Sequence, residues 1–322
     1  MSTVGERVAA VTLDAQAASA TSARTADATL TDWVRLLRPR QWVKNNFVLA
    51  PLLFSGLVTD STSVALALGA FALFSLLASG IYCWNDVADS VADRAHPIKR
   101  LRPVASGAIP ARSAILAGTV LVATSVSTAF LVAPALGAVL LGYLGLNVLY
   151  TTRLKSVVIL DVFAIAAFFV LRLLAGCAAI GVVPSVWLLL CGGLLSLYLG
   201  FAKRRHELLL LGASSGHHRS VLQHYDEALL DQMSGILLAV TVVAYIMYTL
   251  TSQTAAEVGS EALSYSTVFV LYGVFRYLWL VHQARGNGGA DPTETLLTDR
   301  PLLVAVALWL TYCGWAIYRP FT

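Results

Sequence analysis

The chain has 322 residues, of which 57% are hydrophobic and only 12% are charged, with a formal net charge of +4. Soluble proteins carry about one quarter charged residues, so this composition excludes an ordinary water-soluble domain. A helix that crosses a bilayer needs roughly 20 mostly apolar residues, and apolar stretches recur along the chain. Residues 1–32 contain no apolar run, which predicts a disordered cytosolic tail before a single membrane domain over residues 33–322.

Apolar runs that predict membrane-spanning helices occur nine times after this tail. They cover residues 46–58, 62–84, 114–132, 136–150, 157–180, 186–201, 233–251, 265–281 and 302–317. The first run is short, and its helix is expected to begin near residues 40–42. The predicted fold class is therefore all-α, a polytopic membrane protein with nine transmembrane helices.

In the loops between the predicted spans, basic residues occur at alternate connections. They precede span one and follow spans two, four, six and eight: Arg35, Arg38, Arg40, Lys44; Arg94, Lys99, Arg100, Arg102, Arg112; Arg153, Lys155; Lys203, Arg204, Arg205, Arg219; Arg285, Arg300. The loops near residues 59, 133, 182 and 257 carry no Lys or Arg. The positive-inside rule therefore predicts a plasma-membrane protein with a cytosolic N-terminus and an external C-terminus.

Four side chains with oxygen ligands follow the second span: Asn85, Asp86, Asp89 and Asp93. If the helix continues, their spacing places all four on one face. Like charges on one face repel unless a hard cation lies among them, and Mg²⁺ prefers carboxylate and amide oxygens. A solvated acidic helix end is the alternative. The position at the membrane face favours a Mg²⁺ site formed by these four residues.

The basic segment 94–107 follows the acidic motif directly and contains Lys99 and Arg102. Metal ions orient phosphate oxygens, and Lys or Arg stabilises the charge that accumulates as diphosphate departs. The pattern therefore indicates a magnesium-diphosphate pocket. Because cytosolic loops collect basic residues for topological reasons as well, each basic residue alone is weak evidence.

The motif NDxxDxxxD, followed by DRxHPxKRxRPxxSGxIP, resembles the UbiA superfamily of membrane prenyltransferases. The resemblance covers nearly everything from Arg35 onwards. It implies a nine-helix fold with a polar cavity that faces the cytosol, and a Mg²⁺-diphosphate site at Asn85, Asp86, Asp89 and Asp93. It also permits a small homo-oligomer such as a trimer, and no nucleic-acid partner is expected.

The loop after the sixth span departs from the second DxxxD motif of aromatic prenyltransferases. Residues 200–208 carry adjacent cations and a single Glu instead, which suits two phosphorylated reactants. With residues 37–45 and the segment from Leu154 to Asp161, this loop resembles the decaprenyl-phosphate phosphoribosyltransferase branch. That resemblance implies transfer of 5-phosphoribose from 5-phosphoribosyl 1-diphosphate to a polyprenyl phosphate, which supplies arabinose donors for cell-wall arabinan.

Further site residues are predicted from these patterns. Asp161, like the motif carboxylates Asp86, Asp89 and Asp93, is expected to be catalytic. The substrate-binding residues are expected to be Gln41, Lys44, Asn85, Lys99, Arg102, Tyr150, Lys155, Arg172, Lys203, Arg204 and Glu207. For Arg172 and Arg276, which lie inside apolar spans, a packing or ion-pair role is an equal alternative. The turn-rich stretch 286–294 is either a connector or a lid.

Two other function classes stay open at this point. A UbiA-type aromatic or haem polyprenyltransferase would share the metal site and use a prenyl diphosphate. A transporter is disfavoured, because the ionisable residues cluster at the cytosolic helix ends and the chain shows no internal repeat.

Overall fold

The computed structural model describes residues 28–211, 220–251, 260–283 and 298–318, and the regular elements in those ranges are all helices. A 3-10 helix covers Pro39–Val48. The α-helices are α1 Leu30–Leu37, α2 Ala50–Phe54, α3 Ser61–Ala88, α4 Ser90–Ala95, α5 Ala111–Val132, α6 Pro134–Thr152, α7 Leu160–Ile180, α8 Val186–Leu211, α9 Glu227–Thr251, α10 Ser260–Ser264, α11 Thr267–Gln283 and α12 Arg300–Tyr318. Residues 1–27 of the predicted tail and the stretch 286–294 lie outside the described ranges.

Eight of these helices, α3, α5 to α9, α11 and α12, contain segments long and apolar enough to cross a bilayer. The chain is therefore an integral membrane protein, and the predicted spans two to nine are confirmed. Polar side chains inside these spans, such as those of Ser125 and Ser196, donate hydrogen bonds to backbone carbonyls of their own helices. They therefore need no hydrogen-bond partner from the lipid.

The prediction of a spanning α-helix over residues 46–58, and with it the count of nine, is wrong for the described residues. The segment forms the 3-10 helix Pro39–Val48 and the five-residue helix α2. Pro39 and Pro51 have no backbone N–H to donate, and Gly56 has a positive φ of 74°. A single regular α-helix therefore does not run through the whole segment. Hydropathy reports the apolar side chains of this segment but not the hydrogen-bond pattern of its backbone.

The chain divides into two compact units. The first comprises Met1–Val43 and Ser75–Ser125, and the second comprises Lys44–Phe74 and Val126–Thr322. In the first unit, Thr29 caps α1 through a capping box with Asp32. Its core contains Leu36, Cys83, Val104, Ile109 and Ala114. This core fixes the C-terminal end of α3 against α1 and the loop that follows α4.

In the second unit, α7 packs against α2, α6 and α8, and α8 packs against α9. Small residues permit close helix contacts at several of these crossings. A Cβ on Gly192 would meet Leu173, and one on Gly200 would meet Val162. These contacts hold α8 close to α7 along both halves of the helix.

Gly176 of α7 faces the backbone carbonyl of Val48, which a Cβ at this position would strike. We expect Gly176→Ala to destabilise the protein by about 1–3 kcal/mol, because the rigid 3-10 helix must shift. Thermal unfolding in detergent measures the effect. Gly145→Ala is the matched control, because a Cβ at that position would have no neighbour within 4 Å. That substitution should be neutral or stabilising, since Ala favours a helix; equal behaviour of the two variants would contradict the packing role.

Candidate active site

The acidic motif lies where α3 ends and α4 begins. The backbone stays close to helical across the break, since the Asp89 amide donates to Asn85 O and the Asp93 amide donates to Asp89 O. Asp86 and Asp93 are buried, with 1% and 4% exposure, whereas Asp89 is exposed and Asn85 is half-buried. The four residues therefore follow one another on a near-helical path but differ in their access to solvent.

Two arginines neutralise the buried carboxylates. Asp86 Oδ1 accepts a hydrogen bond from Arg38 Nη2 and lies 3.5 Å from Arg102 Nη1. Arg102 Nη1 also donates to Asp93 Oδ2 at 2.6 Å. The other carboxylate oxygen of Asp86, Oδ2, is buried and has no hydrogen-bond partner in the described chain. Arg102 was predicted as a site residue, whereas Arg38 was not.

Arg38 occupies an unusual backbone conformation for a residue with a side chain. It forms the C-cap of α1 with φ 53° and ψ 56°, in the left-handed region. Its guanidinium carbon lies 5.1 Å from the centre of the Tyr82 ring. Ser79 Oγ donates to Leu37 O at 2.8 Å and accepts from Trp42 Nε1 at 3.0 Å, so both flanks of Arg38 are tied to α3. This bracing aims the side chain at Asp86.

The basic loop after α4 is ordered by its own side chains. Arg94 Nε donates to Ala105 O at 3.2 Å, which closes the loop. His96 Nδ1 accepts from the backbone amides of Ile98 and Lys99 at 3.2 Å and 3.3 Å. Lys99 is exposed, so its ammonium group is accessible to a ligand.

A second charged cluster lies within the second unit. Arg204 of α8 is 1% exposed; its Nε donates to Asp161 Oδ2 of α7 at 2.8 Å and its Nη1 donates to Glu207 Oε2 at 2.6 Å. Asp161 is completely buried. The predicted residues Asp161, Arg204 and Glu207 are therefore in contact, but the Arg204 guanidinium is directed towards protein carboxylates. Lys203 beside it is half-buried.

The adjacent Arg205 points to α9. It is 3% exposed and donates to Glu227 Oε1 at 2.6 Å and to Asp231 Oδ1. Sequence reasoning assigned no role to these residues, because Asp231 lies 26 positions away and nothing in the local pattern pairs them. Together, Arg204 and Arg205 fix the rotation of α8 from two sides.

Arg172 is buried in α7 and is surrounded by protein groups. Its Nε donates to Asn45 Oδ1 at 2.9 Å, its Nη1 to Phe168 O at 2.8 Å and its Nη2 to Tyr143 Oη at 3.1 Å. The guanidinium also lies 5.1 to 5.2 Å from three ring centres, those of Phe74, Tyr143 and Phe169. This geometry favours the packing alternative for Arg172.

Arg276 forms an ion pair as well. It donates to both carboxylate oxygens of Asp299, at 2.8 Å and 3.2 Å, and lies 4.5 Å from the centre of the Trp279 ring. The hydrogen bonds from Arg276 hold the pKa of Asp299 below its usual value, so the carboxylate stays ionised at neutral pH. Asp299 Oδ1 accepts the Leu302 amide at 2.9 Å, which caps α12.

The other predicted site residues lie in or near these elements. Gln41 and Lys44 are half-buried in the 3-10 helix Pro39–Val48. Tyr150, half-buried, is near the end of α6, with its ring 5.9 Å from that of Phe168. Lys155 is exposed in the turn of residues 154–156. The structure thus places Tyr150 near the end of α6 and Lys155 on the connection from α6 to Asp161.

An apolar cavity of about 690 Å³ lies within the second unit. Its walls come from α2, α8, α9, α11 and α12 and include the rings of Phe54, Trp187, Tyr245 and Trp309. Pockets that bind organic ligands span about 300–1,000 Å³. The size and the nearly continuous apolar lining suit a hydrocarbon chain.

Residues 47–292 match the model of the UbiA prenyltransferase family. The chain belongs to this family. Among its relatives is a protein of Mycolicibacterium smegmatis named decaprenyl-phosphate phosphoribosyltransferase, 33% identical over 294 residues, covering 88% of this chain and 92% of the relative. A protein of the same name from Corynebacterium glutamicum is 33% identical over 291 residues, covering 88% and 86%.

Solved structures of UbiA homologues confirm the fold. One from Archaeoglobus fulgidus, bound to GPP and Mg²⁺, matches 89% of this chain and 99% of its own with a TM-score of 0.65 and 21% identity. The same homologue has been solved with Cd²⁺. The resemblance drawn from the acidic motif is therefore confirmed at the level of the UbiA family.

The carboxylate and amide oxygens of the acidic motif suit a divalent cation. Within the described ranges, no three His, Cys, Asp or Glu side chains are close enough to ligate one ion. Asp86 nevertheless offers Oδ2, a buried anionic oxygen that accepts no hydrogen bond within those ranges. Such an oxygen is the ligand a hard cation prefers, and leaving it without a partner is costly.

Proposed function

We propose that the protein transfers 5-phosphoribose from 5-phosphoribosyl 1-diphosphate to a polyprenyl phosphate and releases diphosphate. The observation that carries the proposal is the 33% identity, over 88% of the chain, to relatives named decaprenyl-phosphate phosphoribosyltransferase. The names of these relatives support a decaprenyl acceptor. The role in the synthesis of cell-wall arabinan precursors is proposed from the resemblance of the sequence motifs to that branch of the superfamily.

The reaction needs little acid–base chemistry from the protein. An oxygen of the polyprenyl phosphate forms a bond to C1 of the ribose, and the bond between C1 and the diphosphate oxygen breaks. The bonding electrons leave with diphosphate. The acceptor phosphate is already an anion at neutral pH, so positioning and electrostatic stabilisation supply most of the rate.

We assign the donor diphosphate to the acidic motif and the basic loop. Asn85, Asp86, Asp89 and Asp93 are the proposed ligands of Mg²⁺, which would neutralise the departing diphosphate when bound. Lys99, on the ordered loop after α4, and Arg102, beside Asp86 and Asp93, are proposed to contact phosphate oxygens. Gln41 and Lys44 are proposed to bind substrate from the 3-10 helix.

The cluster in the second unit is proposed to bind and orient substrate hydroxyl and phosphate groups. Arg204 holds the carboxylates of Asp161 and Glu207 in fixed positions. Glu207, whose side chain is 25% exposed, is proposed to accept hydrogen bonds from sugar hydroxyls. Lys155 and Lys203, which lie near these carboxylates in sequence, and Tyr150, near the end of α6, are proposed to bind substrate as well. The apolar cavity of this unit is the proposed site of the polyprenyl tail.

We further propose that the N-terminus is cytosolic and that the protein resides in the plasma membrane. Basic residues stand both before Asn45 and after Asp93, so the positive-inside rule puts both segments on the cytosolic side. Because α3 crosses the bilayer once between these two segments, the stretch that connects Asn45 to α3 must cross it as well.

An assay of donor use tests the proposal. Purified protein with Mg²⁺ should release diphosphate from 5-phosphoribosyl 1-diphosphate only when a polyprenyl phosphate is present, and a lipid-linked phosphoribose should form. Mass spectrometry of the lipid and a diphosphate assay measure the two products. The alternative is a polyprenyltransferase, which would consume a prenyl diphosphate and an aromatic acid instead. Turnover of that pair, without turnover of the sugar donor, would reject the phosphoribosyl assignment.

A further inference from the structure

We infer that Arg38 and Arg102 exchange partners during the cycle: they neutralise Asp86 and Asp93 while the site is empty and move to the diphosphate when metal and donor bind. The inference rests on the proposed function for the identity of the donor. Its consequence is that metal alone binds weakly, whereas metal together with diphosphate binds tightly. Arg38 thereby becomes a site residue that the sequence patterns did not single out.

The first step is the cost of the buried carboxylates. Asp86 is 1% exposed and Asp93 is 4% exposed, and an unpaired charge in such surroundings is strongly destabilising. In the structure, Arg38 and Arg102 supply the compensating charge through Oδ1 of Asp86 and Oδ2 of Asp93. The arginine side chains themselves are 26% and 27% exposed, so they reach from the carboxylates to solvent.

The second step is the charge balance when a ligand arrives. A divalent ion at Asp86 would stand close to two guanidinium groups, and like charges this close repel. A diphosphate anion removes the conflict, because it accepts hydrogen bonds from the guanidinium groups and ligates the metal. The pair of arginines therefore makes metal binding depend on the diphosphate.

The third step is the placement of Arg38. Its left-handed backbone conformation is costly for a residue with a Cβ and persists because Leu37 and Trp42 are tied to Ser79. The ring of Tyr82 lies 5.1 Å from the guanidinium and stabilises its positive charge. A backbone strained in this way is consistent with a side chain that is positioned for a function.

Arg38→Asn tests the inference, because Asn tolerates the left-handed conformation. Binding of Mn²⁺ to the full-length protein, measured by electron paramagnetic resonance without any phosphate, should become tighter on the order of tenfold, since an adjacent positive charge is removed. With saturating Mn²⁺, binding of inorganic diphosphate should become weaker by on the order of tenfold to a hundredfold. Arg35→Asn is the matched control and should change neither measurement. The Arg35 side chain is 66% exposed, and its ion pair with Asp32 is long, at 4.0 Å.

Weaker binding of Mn²⁺ alone in Arg38→Asn, or unchanged binding of diphosphate, would overturn the exchange. Arg38→Lys keeps the charge and should stay close to the wild type in both measurements, which guards against a folding defect in the first variant. Neither measurement uses the ribose donor. A wild-type protein that shows this exchange but does not turn over 5-phosphoribosyl 1-diphosphate would refute the proposed function and leave the exchange intact.

Discussion

Asp86→Asn is expected to lower turnover by on the order of a thousandfold. The substitution removes the negative charge that faces Arg38 and Arg102 and replaces the partnerless Oδ2 with an amide group. The asparagine is isosteric and its carbonyl oxygen can still accept a hydrogen bond from Arg38. The lost property is therefore the anionic oxygen that we assign to the metal.

Initial rates at saturating donor and acceptor over a range of Mg²⁺ concentrations measure this effect. If Asp86 ligates the metal, raising the Mg²⁺ concentration should restore part of the rate. Asp89→Asn, at an exposed position of the same motif, should also lower the rate and leave thermal stability unchanged, because the Asp89 side chain is not packed. Asp86→Asn should in addition lower the unfolding temperature, since two guanidinium groups lose a counter-charge.

Asp60→Asn is the matched control. Asp60 stands just before the other end of α3, where its carboxylate accepts the Ser63 amide at 2.8 Å. Asn retains this cap and should retain both turnover and stability. If Asp60→Asn behaves as expected and Asp86→Asn keeps wild-type turnover, the result would show that Asp86 has no role in the reaction.

The long helices could be predicted from the sequence because each depends on one local property. An apolar run of about 20 residues has few other stable states in a bilayer, so spans two to nine appear in the structure. Their bounds lie within six residues of the predicted ones except in α8, which continues to Leu211, ten residues beyond the predicted end. The segment from Pro39 to Phe54 could not be predicted in this way. Its backbone geometry depends on contacts such as that between Val48 and Gly176, which lie far apart in the sequence.

The candidate site also has a part that depends on local sequence and a part that depends on contacts between distant residues. The spacing of Asn85, Asp86, Asp89 and Asp93 is local, and the structure keeps these residues on one near-helical path. The partner of Asp86 is Arg38, 48 residues earlier, and no periodicity in the sequence pairs the two. The left-handed backbone of Arg38 is a further property that a sequence pattern does not reveal, because only the packing around it makes that conformation stable.

Disruption of the pair between Asp161 and Arg204 is expected to have the second large effect. Both side chains are almost completely buried. Arg204→Met removes the guanidinium that bonds to Asp161, whereas Asp161→Asn leaves Arg204 paired with Glu207. Arg204→Met should cost about 3–5 kcal/mol of stability and Asp161→Asn should cost less, while the double variant should cost less than the sum. Unfolding in detergent measures the coupling. The more exposed pair of Arg276 and Asp299 is the matched control and should couple more weakly.

Turnover of the double variant separates two roles for Asp161. If the carboxylate contacts the substrate, the double variant recovers stability relative to the single variants but remains inactive, because asparagine keeps one acceptor oxygen and loses the negative charge. If Asp161 serves only to neutralise Arg204, loss of both charges restores activity together with stability. We expect the first result, since Arg204 Nε bonds to Oδ2 of Asp161 while a second carboxylate, Glu207, also neutralises the same guanidinium. One acidic partner would suffice for charge balance, and the presence of two favours a further task for the buried one.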